Sequence, residues 1–235
     1  MQKIIRLDLG GVNCYLIENK GNYILVDTGG HMFMDRTYDN REYLLKDKLR
    51  ENGVTKDNLK LVILTHGDCD HAFNALSIHK EYGVPIAMNR EDVYMVDSPE
   101  WDCYKNNSKY TSLMFRIVVK FIDKKLEALM HKVYEDFSSF EPEILLEDGT
   151  ELNQYGFDGI VYHTPGHTIG SICILDSEGN LICGDMFADN NKPSLAPNAS
   201  DFNMLRKQAE RMYALSVKMI YPGHGEPFKA QTYKL

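Results

Sequence analysis

The sequence changes character abruptly after a short apolar run. Residues 61–64, Leu-Val-Ile-Leu, are typical of a buried strand. The seven residues that follow read Thr-His-Gly-Asp-Cys-Asp-His, and four of them, His66, Asp68, Asp70 and His71, have side chains that bind zinc, iron or manganese. Because a strand end holds its neighbours rigidly, this stretch predicts one part of a metal centre.

Three more candidate ligands follow predicted strands later in the chain. They are His167, Asp185 and His224, after predicted strands at 159–163, 180–183 and 218–221. A single histidine of this kind is more often structural, but the repeated placement at strand ends indicates one shared site. Seven ligands suit two metal ions that share a bridging carboxylate and leave positions for water.

The rest of the chain alternates predicted strands with predicted helices. Three strands at 3–8, 12–18 and 23–26 predict a β-meander. Helices are predicted at 38–52, at 71–82 and at 201–215, the last with Asp201 as its N-cap. Further short strands are predicted at 85–88, 143–146 and 171–175, and a polar loop at 186–200.

Residues 90–140 interrupt this rhythm. Their first part is polar, whereas residues 111–132 have apolar side chains at helical spacing. We interpret the segment as a helical insertion whose apolar face covers the core. The alternative interpretation is a lid over the site or a dimer surface.

Composition excludes several classes of protein. With 43% apolar and 26% charged residues the chain is globular, and its formal charge of −8 argues against a nucleic-acid partner. No run approaches the roughly 20 apolar residues of a membrane span, and Asp8 precedes any apolar stretch long enough for a secretory signal. The five cysteines are unpatterned and predict reduced thiols. We therefore expect a cytoplasmic protein without a membrane partner.

The motifs together resemble those of the metallo-β-lactamase superfamily, and the resemblance spans essentially the whole chain. The motifs are Thr65-His66-Gly67-Asp68-Cys69-Asp70-His71, Pro165-Gly166-His167-Thr168, Cys183-Gly184-Asp185 and Pro222-Gly223-His224-Gly225, with an early Asp27-Thr28-Gly29. The resemblance implies an α+β fold, a four-layer αββα sandwich formed as a single domain over residues 1–235, with 90–140 as the helical insertion. It also implies that His66, Asp68 and His167 bind one metal ion, that Asp70, His71 and His224 bind a second, and that Asp185 bridges them.

Asp68 departs from the commonest pattern of this superfamily, which has histidine there. A carboxylate makes the first site harder, so iron and manganese become alternatives to zinc. The flavodiiron branch also carries a carboxylate, Glu, at this position, but it joins its metal domain to a flavodoxin domain, for which these 235 residues leave no room. The motifs around His167 and His224 resemble instead those of glyoxalase II-like and lactonase-like hydrolases.

The function that this resemblance implies is hydrolysis of an ester, thioester or lactone of a small molecule by a hydroxide held between two divalent ions. Asp70 and Asp185 are the predicted catalytic residues. The alternatives are a di-iron oxidoreductase related to flavodiiron proteins and a phosphodiesterase or nuclease of the same fold. A homodimer through residues 90–140 is one expectation for partners, and residues 35–38, 98–140 and 186–200 are expected to determine the substrate.

Smaller expectations concern residues beside the ligands. Asp27 is expected to orient a ligand histidine or to brace its loop. His163 either lies behind a ligand or faces solvent, and His31 faces the site from the early loop. Cys69 points into the fold, with a thiolate ligand as the less favoured alternative, and His79 and His131 lie on helix surfaces.

Overall fold

The structure is a computed structural model that describes residues 2–32, 39–189 and 192–233. Residues 33–38 lie outside this range. They include residue 38, where the first helix is predicted to start, and residues 35–38, which are expected to help determine the substrate. The helices are α1 (Glu42–Glu51), α2 (Cys69–Ala72), α3 (Ala75–Tyr82), α4 (Tyr94–Asp97), α5 (Trp101–Asn107), α6 (Leu113–Asp136) and α7 (Phe202–Tyr213).

The strands are short, and most of them lie where the sequence predicts them. In the first half they are β1 (Lys3–Asp8), β2 (Asn13–Asn19), β3 (Asn22–Val26), β4 (Leu59–Ile63), β5 (Ile86–Asn89), β6 (Lys109–Tyr110) and β7 (Ile144–Leu146). In the second half they are β8 (Ile160–His163), β9 (Ile172–Leu175), β10 (Asn180–Ile182), β11 (Phe187–Asp189), β12 (Pro193–Leu195), β13 (Asn198–Ala199), β14 (Met219–Tyr221), β15 (His224–Gly225) and β16 (Phe228–Lys229).

Two mixed sheets carry the fold. The first has the strand order β1-β2-β3-β4-β5-β7, antiparallel through the meander and parallel from β3 onward. The second has the order β16-β14-β10-β9-β8, and only its β10–β14 pair is parallel. The β-meander that the sequence predicts is therefore confirmed.

The period of two along each strand separates the layers. On β3 and β4, Ile24 and Ile63 belong to the core between the two sheets, whereas Leu25 and Val62 face the helices. Helices α1 and α3 cover the first sheet through residues such as Leu49. Helix α7 covers the second sheet with the residues Leu205, Ala209 and Met212. This arrangement is the predicted αββα sandwich.

The predicted boundaries fail in two places for local reasons. The helix predicted at 71–82 is divided into α2 and α3 at Phe73 and Asn74. The backbone of Asn74 leaves the helical region with ψ of 3°, and its side-chain amide donates to the carbonyls of Thr28 and Asn40. The loop predicted at 186–200 contains the strands β11, β12 and β13. Strands of two or three residues carry no readable alternation, and their partners β15 and β6 are distant in sequence.

The segment 90–140 is largely helical, as its apolar spacing indicates. Trp101, Leu126 and Met130 form a small buried cluster, and Cys69 from the ligand stretch packs against it. The inner face of α6 therefore packs against α5 and α2 in a cluster separate from the main cores, and the role of the segment as core cover or as a lid stays a prediction. The division of the chain into one domain and an insertion stays a prediction. Among the described residues, no helix is both long enough and apolar enough to cross a bilayer.

A buried asparagine connects the meander to the last ligand loop. The amide of Asn13 donates to the carbonyls of Pro222 and Gly225 at 2.9 and 2.7 Å, and the hydroxyl of Tyr15 donates to Pro222 at 2.7 Å. These bonds join β2 to the turn that carries His224. The position of that histidine therefore depends on both sheets.

We expect Asn13→Ala to lower the free energy of unfolding by about 1–3 kcal/mol, because the Gly225 carbonyl would lose its bond to the Asn13 amide and the Pro222 carbonyl would keep only the Tyr15 hydroxyl. Urea denaturation in the presence of a chelator measures the change without a contribution from bound metal. Asn19→Ala is the matched control, since Asn19 makes one exposed bond to Gly156 and should change stability by no more than about 0.5 kcal/mol. Equal effects of the two substitutions would contradict the role of Asn13.

Candidate metal centre

All seven predicted ligands meet at one edge of the sandwich. Each follows a strand: the 66–71 stretch follows β4, and the others follow β8, β10 and β14. They form three groups in which the donor atoms lie within 4.8 Å of one another. The groups are His66, Asp68 and His167; Asp70, His71 and His224; and His66, His71 and Asp185.

The first group is centred on Asp68. Its Oδ2 lies 3.0 Å from Nε2 of His167 and 3.6 Å from Nε2 of His66. Asp68 precedes α2 with an extended backbone, and its side chain makes no capping hydrogen bond to the helix that begins at Cys69. His66 and His167 are buried, and the carboxylate between them is only partly covered.

The second group is centred on His224. Its Nε2 lies 3.3 Å from Oδ2 of Asp70 and 3.4 Å from Nε2 of His71. Asp70 and His71 come from α2, whereas His224 begins β15, which pairs with β11. The donors of this group therefore arrive from opposite ends of the chain.

Asp185 lies between the two groups. Its Oδ2 is 3.3 Å from Nε2 of His224 and 3.7 Å from Nε2 of His167, and its Oδ1 is 3.3 Å from Nε2 of His71. Two glycines allow this placement: Gly184, which precedes Asp185 in the chain, and Gly223, in the loop that carries His224. Gly184 has φ of +47°, and a Cβ at Gly223 would lie 2.3 Å from Oδ1 of Asp185.

The rings of the four histidines are held in the same way. In each of them Nδ1 is bonded to a protein oxygen, which leaves Nε2 facing the common centre. The partners are Thr65 Oγ1 for His66 at 2.9 Å, Asp27 Oδ2 for His71 at 2.9 Å, the Asn198 carbonyl for His167 at 3.1 Å and the Gly11 carbonyl for His224 at 2.7 Å. The protein thus fixes both the tautomer and the direction of each ring.

Asp27 orients two of these rings. It accepts a hydrogen bond from His71 directly, and it accepts two more from Thr65, through the backbone N–H at 2.7 Å and the hydroxyl at 2.8 Å. Since the Thr65 hydroxyl donates to Asp27, its oxygen accepts from Nδ1 of His66. The expectation that Asp27 orients a histidine of the site is confirmed.

The donor set fits divalent cations. Within the described part of the chain, Nε2 of His66 and Oδ1 of Asp185 are buried and have no hydrogen-bond partner. A buried polar atom without a partner is costly, and a cation at the centre would satisfy both atoms. Imidazole nitrogen combined with carboxylate oxygen suits zinc, iron and manganese.

The pKa shifts show how strongly the centre favours positive charge. Burial opposes ionisation of Asp185, but His224 and His71 beside it hold the pKa of that carboxyl well below its usual range. Burial would lower the pKa of His167, yet the hydrogen bond to Asp68 and the charge of Asp185 raise it to about 9. The Asp185 carboxylate is therefore ionised at neutral pH and can bind a cation.

A cavity of about 480 Å³ opens onto the centre. Its lining includes Asp68, Asp70, Asp185 and His224. Much of the remaining wall is apolar. It is formed by Leu129, Met130 and Val133 of α6, by Ala196 and Pro197 after β12, and by Met32 from the loop after β3. In this cavity a mostly apolar wall therefore faces a polar centre.

The remaining sequence candidates lie outside the three groups. His31 lines the cavity, as expected, and its ring packs against Phe73. His163 donates to the carbonyl of Ile169 at 2.8 Å, so it braces the loop that carries His167. Cys69 lines the cavity with its Sγ 3.6 Å from the carbonyl of His31. His79 is half-buried and bonds the Val84 carbonyl, and His131 lies on the surface of α6.

Sequence reasoning missed Asp92, which connects the two main ligand loops. This fully buried carboxylate accepts from the Gly67 N–H at 3.2 Å, the Thr168 hydroxyl at 2.6 Å and the Gly170 N–H at 2.7 Å. Burial raises its pKa to about 6, although these bonds oppose the rise. Asp92 sits in an ordinary charged stretch, Arg-Glu-Asp, so no sequence signal distinguished it.

We expect Asp92→Asn to weaken metal binding about tenfold or more, because an amide cannot accept all three bonds and the loops of His66 and His167 would separate. Competition with a chromophoric chelator measures the affinity. Glu91→Gln is the control, since its neighbouring side chain is exposed. Unchanged affinity in Asp92→Asn would show that Asp92 does not position the ligand loops.

Comparison with known proteins agrees with the geometry. A probable metallo-hydrolase of Methanocaldococcus jannaschii is 28% identical over 221 residues, covering 91% of this chain and 87% of that protein. Human acyl-coenzyme A thioesterase MBLAC2 is 24% identical over 238 residues, covering 93% and 75%. The crystal structure of a metallo-beta-lactamase family protein from Thermus thermophilus superposes with a TM-score of 0.69 at 21% identity, covering 97% of this chain and 74% of that one.

A family model also matches almost the entire chain. The match covers residues 7–224 and thus contains every predicted ligand from His66 to His224. The fold, the donor groups and this match lead to one conclusion: the chain belongs to the metallo-beta-lactamase superfamily.

Proposed function

We propose that this protein is a hydrolase that uses two divalent metal ions to cleave an ester, thioester or lactone whose acyl group is apolar. The observation that carries the proposal is the cavity, where clustered carboxylates and imidazoles meet a wall of aliphatic and thioether side chains. The donors suit metal-assisted attack on a carbonyl. The wall suits the hydrocarbon beside that carbonyl.

The proposal places one ion in each of two ligand groups. His66, Asp68 and His167 would hold the first, and Asp70, His71 and His224 the second. Asp185 contacts histidines of both groups and would be shared. When bound, such ions lower the pKa of water and polarise a carbonyl oxygen.

The chain's own residues then position the reactants. The Asp70 carboxylate lines the cavity and can accept a hydrogen bond from the attacking water. Tyr134 also lines the cavity, and burial together with nearby Cys69 and Asp68 raises its pKa, so its hydroxyl keeps its proton. That hydroxyl can donate to the substrate carbonyl or to the leaving atom. Water adds to the acyl carbon, the C–O or C–S bond breaks, and the second hydrogen of the water ends on the leaving oxygen or sulfur.

The apolar wall favours acyl substrates over the phosphodiester alternative. A phosphodiester in this cavity would place a charged group close to Leu129, Met130 and Val133, at a cost in desolvation. An acyl chain would bury apolar surface there, worth roughly 25 cal/mol per Å². The names of two relatives, a probable metallo-hydrolase and an acyl-coenzyme A thioesterase, support hydrolysis.

The proposal predicts metal-dependent turnover on a defined panel. Protein purified without a chelating tag and loaded with metal is assayed against thioesters and lactones of graded acyl length and against phosphodiesters. We expect thioester or ester cleavage that rises with acyl length, disappears with a chelator and returns with metal. Asp185→Asn should abolish turnover and lower metal content, because it removes the shared carboxylate. Activity on phosphodiesters alone would overturn the proposal, and normal turnover in metal-replete Asp185→Asn would overturn the shared role.

Asp68 gives a separate prediction about the metal. Three carboxylates make this centre harder than one with a fifth histidine, so we expect wild-type protein to take up iron or manganese alongside zinc. Asp68→His should shift the bound metal toward zinc, as measured by elemental analysis of protein expressed with all three metals supplied. Identical metal content in the two proteins would contradict the argument from hardness. Iron-loaded protein that consumes dioxygen with an electron donor, without hydrolysing the panel, would favour the oxidoreductase alternative.

A further inference from the structure

Helix α6 is apolar on two sides. Its inner face buries Leu126, Met130 and Val133. A second set, at spacings of one, three and four residues near the start of the helix, lies on roughly the opposite side and is exposed. Its members are Leu113, Met114, Ile117, Val118 and Phe121, which are 69%, 75%, 50%, 45% and 87% exposed. We call this set the outer face.

The outer face lies in the most basic part of the chain. Residues 104–125 contain six Lys or Arg and one Asp, a formal charge of +5, whereas the chain as a whole carries −8. Lys120, Lys124 and Lys125 are exposed and follow the apolar side chains around the same part of the helix. Exposed apolar side chains flanked by lysines are typical of helices that lie in the interface of an anionic membrane.

We infer that the outer face of α6 binds to an anionic lipid surface. Apolar side chains such as Phe121 would enter the acyl region, and the lysines would contact lipid phosphates. A second copy of this chain fits less well, because a symmetric contact through the same face would bring two basic segments together. The sequence predicts no membrane partner because it lacks a spanning segment, but a peripheral contact needs none.

The outer face is continuous with the cavity. Met114 belongs to the outer face and also lines the cavity, together with Thr111 and Ser112 at the start of α6. A lipid surface bound at this face would therefore lie at the entrance to the metal centre. An acyl substrate dissolved in the lipid could enter without crossing water. This consequence rests on the proposed hydrolase function, whereas binding to lipid does not.

Vesicle co-sedimentation tests the inference. The full-length protein is mixed with phosphatidylcholine vesicles with and without phosphatidylglycerol. We expect binding to the anionic vesicles that weakens as salt rises. The double substitution Ile117→Gln with Phe121→Gln should weaken binding at least about tenfold, because two large apolar side chains would no longer be buried. Replacing Lys120, Lys124 and Lys125 by Gln should remove the preference for anionic vesicles.

The control substitution is Tyr43→Gln, which alters a side chain on α1 that is 75% exposed and distant in sequence. It should leave vesicle binding unchanged, and circular dichroism checks that all variants are folded. Failure of the wild-type protein to bind anionic vesicles at low salt overturns the inference. A dimer in light scattering that the Ile117/Phe121 variant dissociates, without vesicle binding, assigns the face to a second copy instead. Hydrolysis of a water-soluble short-chain ester is measured in parallel, so that loss of lipid binding and loss of the proposed function are seen separately.

Discussion

The carboxylate of Asp27 is the constraint on which the geometry of the centre depends. It lies directly after β3 with φ of +61°, a left-handed conformation that is uncommon outside glycine. From there it holds His71 directly and His66 through Thr65, so one buried group sets two rings and the backbone between them. Gly30 allows the same segment to pass the ligand helix, because a Cβ there would lie 1.9 Å from the carbonyl of Cys69. The meander is therefore the support of the ligand stretch as well as an edge of the sheet.

Local patterns in the sequence predicted most of the strands and the seven candidate ligands that follow them, whereas the αββα sandwich was expected from the resemblance of the motifs to the superfamily. Strand alternation and the ligand-rich segments after strands can be recognised from neighbouring residues alone, whatever the surrounding loops are. The contribution of Asp92 could not be predicted, because a carboxylate that braces two loops through backbone N–H groups has no local pattern. The same reason explains β11 and β15, whose pairing depends on partners far away in the chain. At Asn74 the helix is interrupted and the side chain bonds two carbonyls remote in sequence, a contact that no helical period records.

The centre and the cavity place different limits on function. The donors and the family match place the chain in a superfamily of metal-dependent hydrolases. Many carbonyl and phosphoryl substrates are compatible with such donors. In the proposed function, selectivity comes from the apolar wall, to which α6 contributes Leu129, Met130 and Val133. A helix that both lines the cavity and exposes apolar side chains couples the choice of substrate to whatever surface it contacts. Variation in this one helix could therefore change the substrate without altering the ligands.

The distribution of the donors has a mechanical consequence. Each of the first two groups combines residues from the stretch after β4 with a histidine that follows a strand of the second sheet. The partners Asp68 and His167 are 99 residues apart, and His71 and His224 are 153 apart. A cation held by either group would close a chain loop of that length, as a disulfide does. In entropic models, closing a loop of this length raises the free energy of the unfolded chain by several kcal/mol. The ions of such a centre are thus cross-links between the two sheets as well as reagents, and the sandwich would resist opening at the edge where substrate enters.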